Sequence, residues 1–193
     1  MSNIPLKINF INNASIFAKK NFKAIIVLAT VLFIFLLLIF FYKDLQEKKN
    51  IKIAEQYTQA KILITQKKTN ESKLLLENLV ETNHKFYSPL SLYLMIDNNL
   101  ENNSKKIINF FSIILNNNSI DEENLNLIKI KKAIYLISLD EEISAVETLN
   151  QIVDSNSVWR NLAISLIIEH YLSKNQKDKA EKYIQLLKNN NNK

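Results

Sequence analysis

The chain of 193 residues contains no cysteine and no glycine, and it has only two histidines and two prolines. Without cysteine it has no disulfide, no thiol nucleophile and no cysteine-ligated metal. Without glycine it lacks the loops that cradle phosphate groups in P-loop and dinucleotide-binding proteins, because those loops need positive φ angles and close approach of the backbone. These absences exclude nucleotide chemistry of those two kinds and any site built on a thiolate.

The remaining candidates for chemistry are the two histidines and two acidic clusters. His84 is expected to be exposed at the end of a helix, and His170 points to a different helix face from the glutamate beside it. The clusters at 121–123 and 140–142 start predicted helices, where the macrodipole favours negative charge, and no calcium-loop spacing follows them. We therefore predict no catalytic residue, no metal site and no cofactor, and we interpret the protein as not an enzyme.

Basic and acidic residues are unevenly distributed along the chain. The formal net charge is +6, from 25 basic and 19 acidic residues. Residues 1–23 hold four of the lysines and no acid, so the rest of the chain is nearly balanced, with charges of both signs interspersed. Such a surface lacks the basic face that nucleic-acid binding needs, and we expect no nucleic acid as a partner.

An uncharged apolar run extends from Ala24 to Tyr42. As a helix it would span roughly 28 Å, close to the hydrocarbon thickness of a bilayer. A cleaved signal peptide has a shorter apolar region that ends in small residues, and a core helix rarely has so long an apolar run between lysines. We therefore predict a transmembrane helix over residues 23–43, with the lipid bilayer contacting residues 24–42.

The residues before this helix, 1–22, are predicted to form a short, weakly ordered cytoplasmic arm. The alternative is an amphipathic helix over residues 8–22 that lies on the membrane surface, with its lysines meeting anionic head groups. Four lysines also follow the apolar run, so the distribution of lysine does not decide the orientation. The short arm without acids favours sending the larger C-terminal domain across the membrane.

After residue 43 the apolar residues recur at i, i+3, i+4 and i+7, which is the period of amphipathic helices. Residues 44–193 are therefore predicted to form one all-α domain, in which Ser88 before Pro89 caps a helix. Asparagine runs stand at several predicted turns, because asparagine tolerates the left-handed conformation. The predicted helices are 46–68, 71–83, 88–100, 103–117, 121–139, 141–154, 157–174 and 176–190.

The second helix of each predicted pair carries one pattern, a small residue followed by large apolar residues four and seven positions later. The four occurrences begin 32, 41 and 35 residues apart. They are Ser72, Leu76 and Leu79; Ser104, Ile108 and Phe111; Ala145, Leu149 and Ile152; and Ala180, Ile184 and Leu187. The pattern resembles the second helix of tetratricopeptide repeats (TPRs), and Trp159 to Leu166 is similar to the W-x2-L-G-x2-Y pattern of their first helix. The resemblance implies an antiparallel helix-pair (TPR-like) solenoid of about four degenerate repeats, in which stacked pairs bury each other's apolar faces.

A single N-terminal membrane helix followed by such repeats resembles the YfgM-like family of bacterial inner-membrane proteins. The residues that carry the resemblance are Lys43 to Asn50, Ala54 to Tyr57, Ser88 to Leu90, and Ser157 to Leu187. The resemblance implies a scaffold of the inner membrane with its TPR-like domain in the periplasm, where it associates with Sec translocon subunits and a membrane-anchored periplasmic chaperone. The alternative is a cytoplasm-facing adaptor of the same fold, acting in assembly or cell division.

The first helices of the pairs are predicted to line the concave face of the solenoid and to bind a segment of a partner protein there. The candidate protein-binding residues on this face are Gln56, Gln59, Tyr93, Lys131, Asn161 and Ser165. Trp159 and Arg160 are residue types common in interfaces, but the repeat position of Trp159 favours packing between adjacent pairs. We likewise interpret Tyr93, Phe110 and Phe111 as side chains of the core rather than of a pocket.

Overall fold

The computed structural model describes residues 20–191, which form eight α-helices and no strand. The all-α prediction is confirmed for these residues. Most of the predicted N-terminal arm, and with it the alternative of a surface helix, lies outside the described range. The helices are α1 (Phe22–Thr65), α2 (Thr69–Glu81), α3 (Tyr87–Asp97), α4 (Ser104–Leu115), α5 (Glu122–Ser138), α6 (Glu142–Val153), α7 (Arg160–Ser173) and α8 (Lys177–Asn191).

Helices α2 to α8 begin and end within three residues of the bounds predicted from periodicity. The predicted transmembrane helix and the predicted helix at 46–68 are instead one continuous helix, α1. The residues around the junction of the two predicted helices, 43–50, are mainly lysine, leucine, glutamine and glutamate. These residue types favour helix, and neither proline nor glycine interrupts them. An ion pair one turn apart, from Lys48 to Asp44 at 2.7 Å, supports the helix at this point.

The chain divides into two compact units, one ending at Lys52 and one beginning at Ile53. In the first unit, α1 exposes large apolar side chains between Ile26 and Tyr42. The Thr30 hydroxyl, the polar group within that run, donates to the carbonyl of Ile26 at 2.9 Å and is satisfied inside the helix. By length and composition α1 is able to cross a membrane, and it is the one such helix among residues 20–191.

In the second unit, each helix from α2 to α8 packs against the next along the chain, and α2 also packs against α4. The buried apolar side chains form two clusters. The first includes Phe111 and extends from α1 to α5, and the second includes Ile164 and extends from α5 to α8. Helix α5 contributes Ile128 to the first cluster and Ile130 to the second. Full burial of one such side chain stabilises the fold by about 2 kcal/mol. Because α5 contributes buried side chains to both clusters, it connects the two parts of the core of this unit.

Four turns with one backbone geometry join the helices into pairs: pair 1 is α1 with α2, pair 2 is α3 with α4, pair 3 is α5 with α6, and pair 4 is α7 with α8. In each turn one residue other than glycine has a positive φ, between 49° and 62°. Its amide donates to the carbonyl three residues before it, and the next amide donates to the carbonyl five residues before, at 2.8 to 3.1 Å. This is the Schellman ending of a helix. The four residues with positive φ are Lys67, Asn99, Asp140 and Asn175.

The second helix begins two residues after the positive φ residue in pairs 1, 3 and 4, but five residues after it in pair 2. Because of these three extra residues, the predicted pattern is wrong in register in α4. Ser104 and Ile108 are only half-buried, and Ile107 takes the position of the small residue, with 1% of its surface exposed. The predicted small residues of the other three pairs are fully buried: Ser72, Ala145 and Ala180.

Candidate protein-binding groove

The first helices of pairs 2 and 3, α3 and α5, form the two walls of a groove in the second unit. One face of α3 packs into the core, where Leu92 and Met95 are fully buried. The sequence of α3 is apolar on nearly every side, so a second apolar face remains after the core face is packed. This second face is turned towards α5 and lines the groove.

The start of α3 is held by His84 and Ser88. His84 Nδ1 accepts hydrogen bonds from the amides of Phe86 and Tyr87, both at 3.1 Å. The Ser88 hydroxyl donates to the carbonyl of Leu79 at 2.7 Å and accepts from the amide of His84 at 2.8 Å. Two predictions are therefore wrong. His84 is half-buried, because its ring supplies the acceptor that first-turn amides lack, and Ser88 lies inside α3 and ties it to α2 without capping it.

The start of α5 is capped by Asp121. Its carboxylate accepts from the amide of Asn124 at 3.0 Å and from the side-chain amide of the same residue at 2.6 Å. These hydrogen bonds lower the pKa of Asp121 below its ordinary value. The predicted capping role of this acidic cluster is confirmed at Asp121.

The next acidic residue, Glu123, connects α5 to the start of α7. Its carboxylate accepts from the Ser157 hydroxyl at 2.7 Å. The Trp159 indole Nε1–H donates to the carbonyl of Glu123 at 3.1 Å, while the ring packs against the second core cluster. Trp159 thus lies between pairs 3 and 4, as its repeat position predicts.

An apolar cavity of about 250 Å³ lies between the C-terminal halves of α3 and α5. Phe111 of α4 is fully buried and forms part of the cavity wall, and the centre of its ring lies 6.2 Å from the centre of the Tyr135 ring. Ile134 is 44% exposed, which leaves a large apolar side chain in water beside the cavity. The residues that line the cavity are Tyr93, Ile96, Asp97, Phe111, Lys131, Ile134, Tyr135 and Ser138.

A second cavity, of about 220 Å³, lies between the N-terminal halves of the same two helices. Tyr93 lines both cavities and therefore lies where they meet. Phe86, in the lining of the second cavity, is 58% exposed. The residues that line the second cavity are Lys85, Phe86, Pro89, Leu90, Tyr93, Ile120, Asn124, Leu127 and Ile128. The two cavities form one groove whose lining residues recur every three or four positions on each wall.

Tyr93 and Lys131 lie opposite each other in this groove, with Lys131 Nζ 5.7 Å from the centre of the Tyr93 ring. The Tyr93 hydroxyl is buried and has no hydrogen-bond partner among the described residues. Burial raises the pKa of Tyr93 well above its ordinary value. A buried hydroxyl without a partner costs about 1 to 3 kcal/mol, and a ligand that supplied an acceptor at this place would recover that cost.

Away from the groove, an ionic cluster joins α2 to α4. Glu101 Oε2 lies 3.0 Å from Lys73 Nζ and 3.5 Å from Lys106 Nζ, and Lys106 Nζ lies 2.7 Å from Glu77. The amide of Asn103 donates to Glu101 Oε1 at 2.8 Å. This hydrogen bond, with that from Lys73, lowers the pKa of Glu101 to about 2. Glu101 belongs to the longer turn of pair 2, so the extra residues supply the acceptor that holds the cluster.

A second cluster joins α6 to α7 and α8 around Glu142. Its carboxylate lies 3.2 Å from His170 Nε2 and accepts from Gln176 at 3.2 Å and from Lys179 at 3.3 Å. Burial raises the pKa of Glu142, but the hydrogen bonds from His170 and Lys179 outweigh it and hold this pKa below its ordinary value. His170 is buried. Within residues 20–191, no group of three histidine, aspartate or glutamate side chains is placed to hold a metal ion.

The structure brings together two of the six predicted binding residues, Tyr93 and Lys131. The lining residues that the sequence did not predict include Ile134 and Tyr135, which belong to a second apolar stripe on α5. Apolar residues on a helix face other than the one that packs into the core are the sequence signal that would have indicated Ile134 and Tyr135. The other four predicted residues lie on α1 and α7, outside both cavities: Gln56, Gln59, Asn161 and Ser165.

Comparisons of the chain with models of known protein families, with curated proteins and with solved structures found no match. The groove, the helix pairs and the apolar run of α1 are therefore the observations on which a function is proposed.

Proposed function

We propose that the protein is a membrane-anchored, non-enzymatic scaffold that binds a partner protein in the groove between α3 and α5. The observation that carries this proposal is the pair of apolar cavities that meet at Tyr93. Phe86 and Ile134 are exposed beside them, and exposed apolar surface next to a groove between helices favours a protein segment as the occupant.

The second unit is, in this proposal, a TPR-like solenoid of four helix pairs. The four equivalent Schellman turns support it. Five of the hydrogen bonds between consecutive pairs also join residues 33 or 34 positions apart, close to the length of one tetratricopeptide repeat. These bonds are Asn117 to Asn83, Ser157 to Glu123, Lys174 to Asp140, Gln176 to Glu142, and Tyr183 to Asn150.

The apolar run of α1 supports anchoring in a membrane. The resemblance to the YfgM-like family makes this the bacterial inner membrane, with the second unit in the periplasm and with Sec translocon subunits and a membrane-anchored periplasmic chaperone as partners. The second candidate is a cytoplasm-facing adaptor in assembly or cell division. The four lysines within ten residues after the apolar run keep this candidate open, because they equal the four before it and lysine near a membrane helix tends to stay in the cytoplasm.

Fusion of reporters to the C-terminus of the full-length protein tests the orientation. Alkaline phosphatase is active only in the periplasm. Green fluorescent protein does not fluoresce after export in an unfolded form, so its fluorescence reports a C-terminus in the cytoplasm. We expect phosphatase activity without fluorescence. Fluorescence without phosphatase activity would establish the cytoplasm-facing adaptor and exclude the periplasmic scaffold.

Photo-crosslinking from the groove tests partner binding. A benzophenone amino acid replaces Ile134 in the full-length protein in cells, and the matched control replaces Ile143, which is 75% exposed at the start of α6 outside the groove. We expect crosslinks to translocon subunits or to the chaperone from position 134 and none from position 143. Crosslinks from 134 to other proteins would remove the translocon assignment and keep the scaffold. Equal labelling from both positions, or none, would contradict binding in the groove.

A further inference from the structure

The walls of the groove define the shape of the segment that it binds. On the wall formed by α3 and the residue before it, the lining extends from Phe86 to Asp97, which corresponds to roughly 17 Å at the helical rise. Both walls are helices whose lining residues recur every three or four positions, and a groove of this kind accepts a helix that contacts it through residues i, i+3, i+4 and i+7. An amphipathic helix of about three turns fits this length.

The polar groups of the groove define the charge of the segment. Two lysines, Lys131 and Lys85, and one acid, Asp97 at the C-terminal end of α3, line the two cavities, and neither lysine forms an ion pair with another described residue. The Tyr93 hydroxyl, a donor without a partner, lies in the same side chain whose ring is 5.7 Å from Lys131 Nζ. A cation and a hydroxyl donor at one place favour a carboxylate as the acceptor, because hydrogen bonds to a charged acceptor are the stronger ones.

We propose that the groove binds an amphipathic helical segment of a partner protein that has a glutamate or aspartate in the middle of its apolar face, with the carboxylate held by Lys131 Nζ and the Tyr93 hydroxyl. This inference rests on the proposed scaffold function. The cavities extend to both sides of Tyr93, so a segment that fills both of them continues beyond Tyr93 in each direction. The carboxylate therefore belongs to a side chain within the segment and not to a chain terminus. The hydroxyl is closed to solvent in the free protein, so the proposal requires side chains of the groove to move when the carboxylate binds.

The requirement for a carboxylate separates this partner from another candidate, the protein's own N-terminal segment. Residues 1–19 contain apolar side chains but no aspartate and no glutamate. That segment is therefore unable to supply the side-chain carboxylate that the proposal requires.

The test uses the full-length protein in lipid nanodiscs and two fluorescent peptides of about 14 residues, with leucines at i, i+3, i+4 and i+7 and either glutamate or glutamine in the middle of the leucine face. We expect the glutamate peptide to bind about tenfold more tightly in fluorescence anisotropy. Lys131→Gln and Tyr93→Phe should each weaken the glutamate peptide about three- to tenfold and the glutamine peptide by a smaller factor, because a neutral amide oxygen is the weaker acceptor. Lys105→Gln, an exposed lysine of α4 outside the groove, should change neither.

Equal affinity for the two peptides, or an equal loss of both in Lys131→Gln, would overturn the carboxylate assignment. Ile134→Asp then separates the two levels of the proposal. If this variant abolishes binding of both peptides, the groove remains the docking site and only the carboxylate is lost. If it leaves binding unchanged, both the inference and the proposed groove fall. Self-association of the full-length protein that Ile134→Asp abolishes would identify a second copy as the occupant and overturn the inference.

Discussion

At the scale of single residues, Tyr93 is the side chain at which the needs of binding and of stability oppose each other. Its buried hydroxyl has no partner among the described residues, so it has lost its hydration without a compensating hydrogen bond. We predict that Tyr93→Phe stabilises the full-length protein by about 1 kcal/mol in denaturant unfolding in detergent, although it weakens peptide binding.

The matched control is Tyr183→Phe, since the Tyr183 hydroxyl donates to Asn150 Oδ1 at 3.0 Å. Removal of that hydroxyl leaves an acceptor without its partner, and the variant should lose about 1 kcal/mol of unfolding free energy. If Tyr93→Phe destabilised the protein as much as Tyr183→Phe, the Tyr93 hydroxyl would have a partner in solution and the binding role assigned to it would be wrong.

Glu101 makes stability depend on pH. The Asn103 amide and Lys73 lower its pKa in the folded protein to about 2, from an ordinary value of 4.5. Because the folded state favours the carboxylate, its stabilising contribution is complete above about pH 4.5 and is lost as the pH falls towards about 2. We predict that the unfolding free energy of the wild-type protein falls over this range.

Substitution of the carboxylate isolates this effect. Glu101→Gln should cost about 2 kcal/mol at pH 7, because Lys73 and Lys106 lose a buried acceptor, and it should flatten the profile between pH 4.5 and pH 2. Glu55→Gln, at an exposed glutamate of α1, serves as the control and should keep the wild-type profile. A profile that keeps its full slope in Glu101→Gln would assign the acid sensitivity to other carboxylates.

At the scale of elements, the register of α4 is the clearest consequence of the longer turn in pair 2. Ile107 is 1% exposed and stands where the other pairs have a small residue, whereas Ser104 is half-buried at the helix start. We predict that Ile107→Ala costs about 2 to 4 kcal/mol by denaturant unfolding, because it leaves a cavity in the first core cluster. The unfolding free energy of Ser104→Ala should stay within about 0.5 kcal/mol of that of the wild type. If Ser104→Ala cost more stability than Ile107→Ala, the register predicted from sequence would be correct.

The elements differ in how far the sequence determines them. Periodicity predicted α2 to α8 closely, because apolar spacing and cap chemistry act within a few residues. The register of α4 was not predictable from the repeat pattern, since Glu101 forms its ion pairs with Lys73 of α2 and thereby fixes the longer turn through tertiary contacts. Tyr93 and Lys131 were predicted as binding residues on separate helices, but only the packing of α3 beside α5 places them together.

At the scale of the whole molecule, apolar exposure and apolar burial are segregated along the chain. The apolar run of α1 is exposed, whereas both core clusters are formed entirely by residues from Ile53 onward. The second unit thus has a protein core of its own, and the exposed apolar run of α1 suits the bilayer of the proposed membrane anchor. This segregation predicts that the second unit folds without the apolar run.

A fragment of residues 44–193 should therefore be soluble without detergent, helical by circular dichroism and cooperative in thermal unfolding, because it retains both core clusters. The full-length protein should remain in the membrane fraction after an alkaline carbonate wash, because α1 satisfies its backbone polar groups internally within the hydrocarbon layer. An aggregated or non-helical fragment would show that the second unit depends on the apolar run. Release of the full-length protein by carbonate would show that α1 does not span the bilayer, and the membrane-anchored scaffold would have to be abandoned.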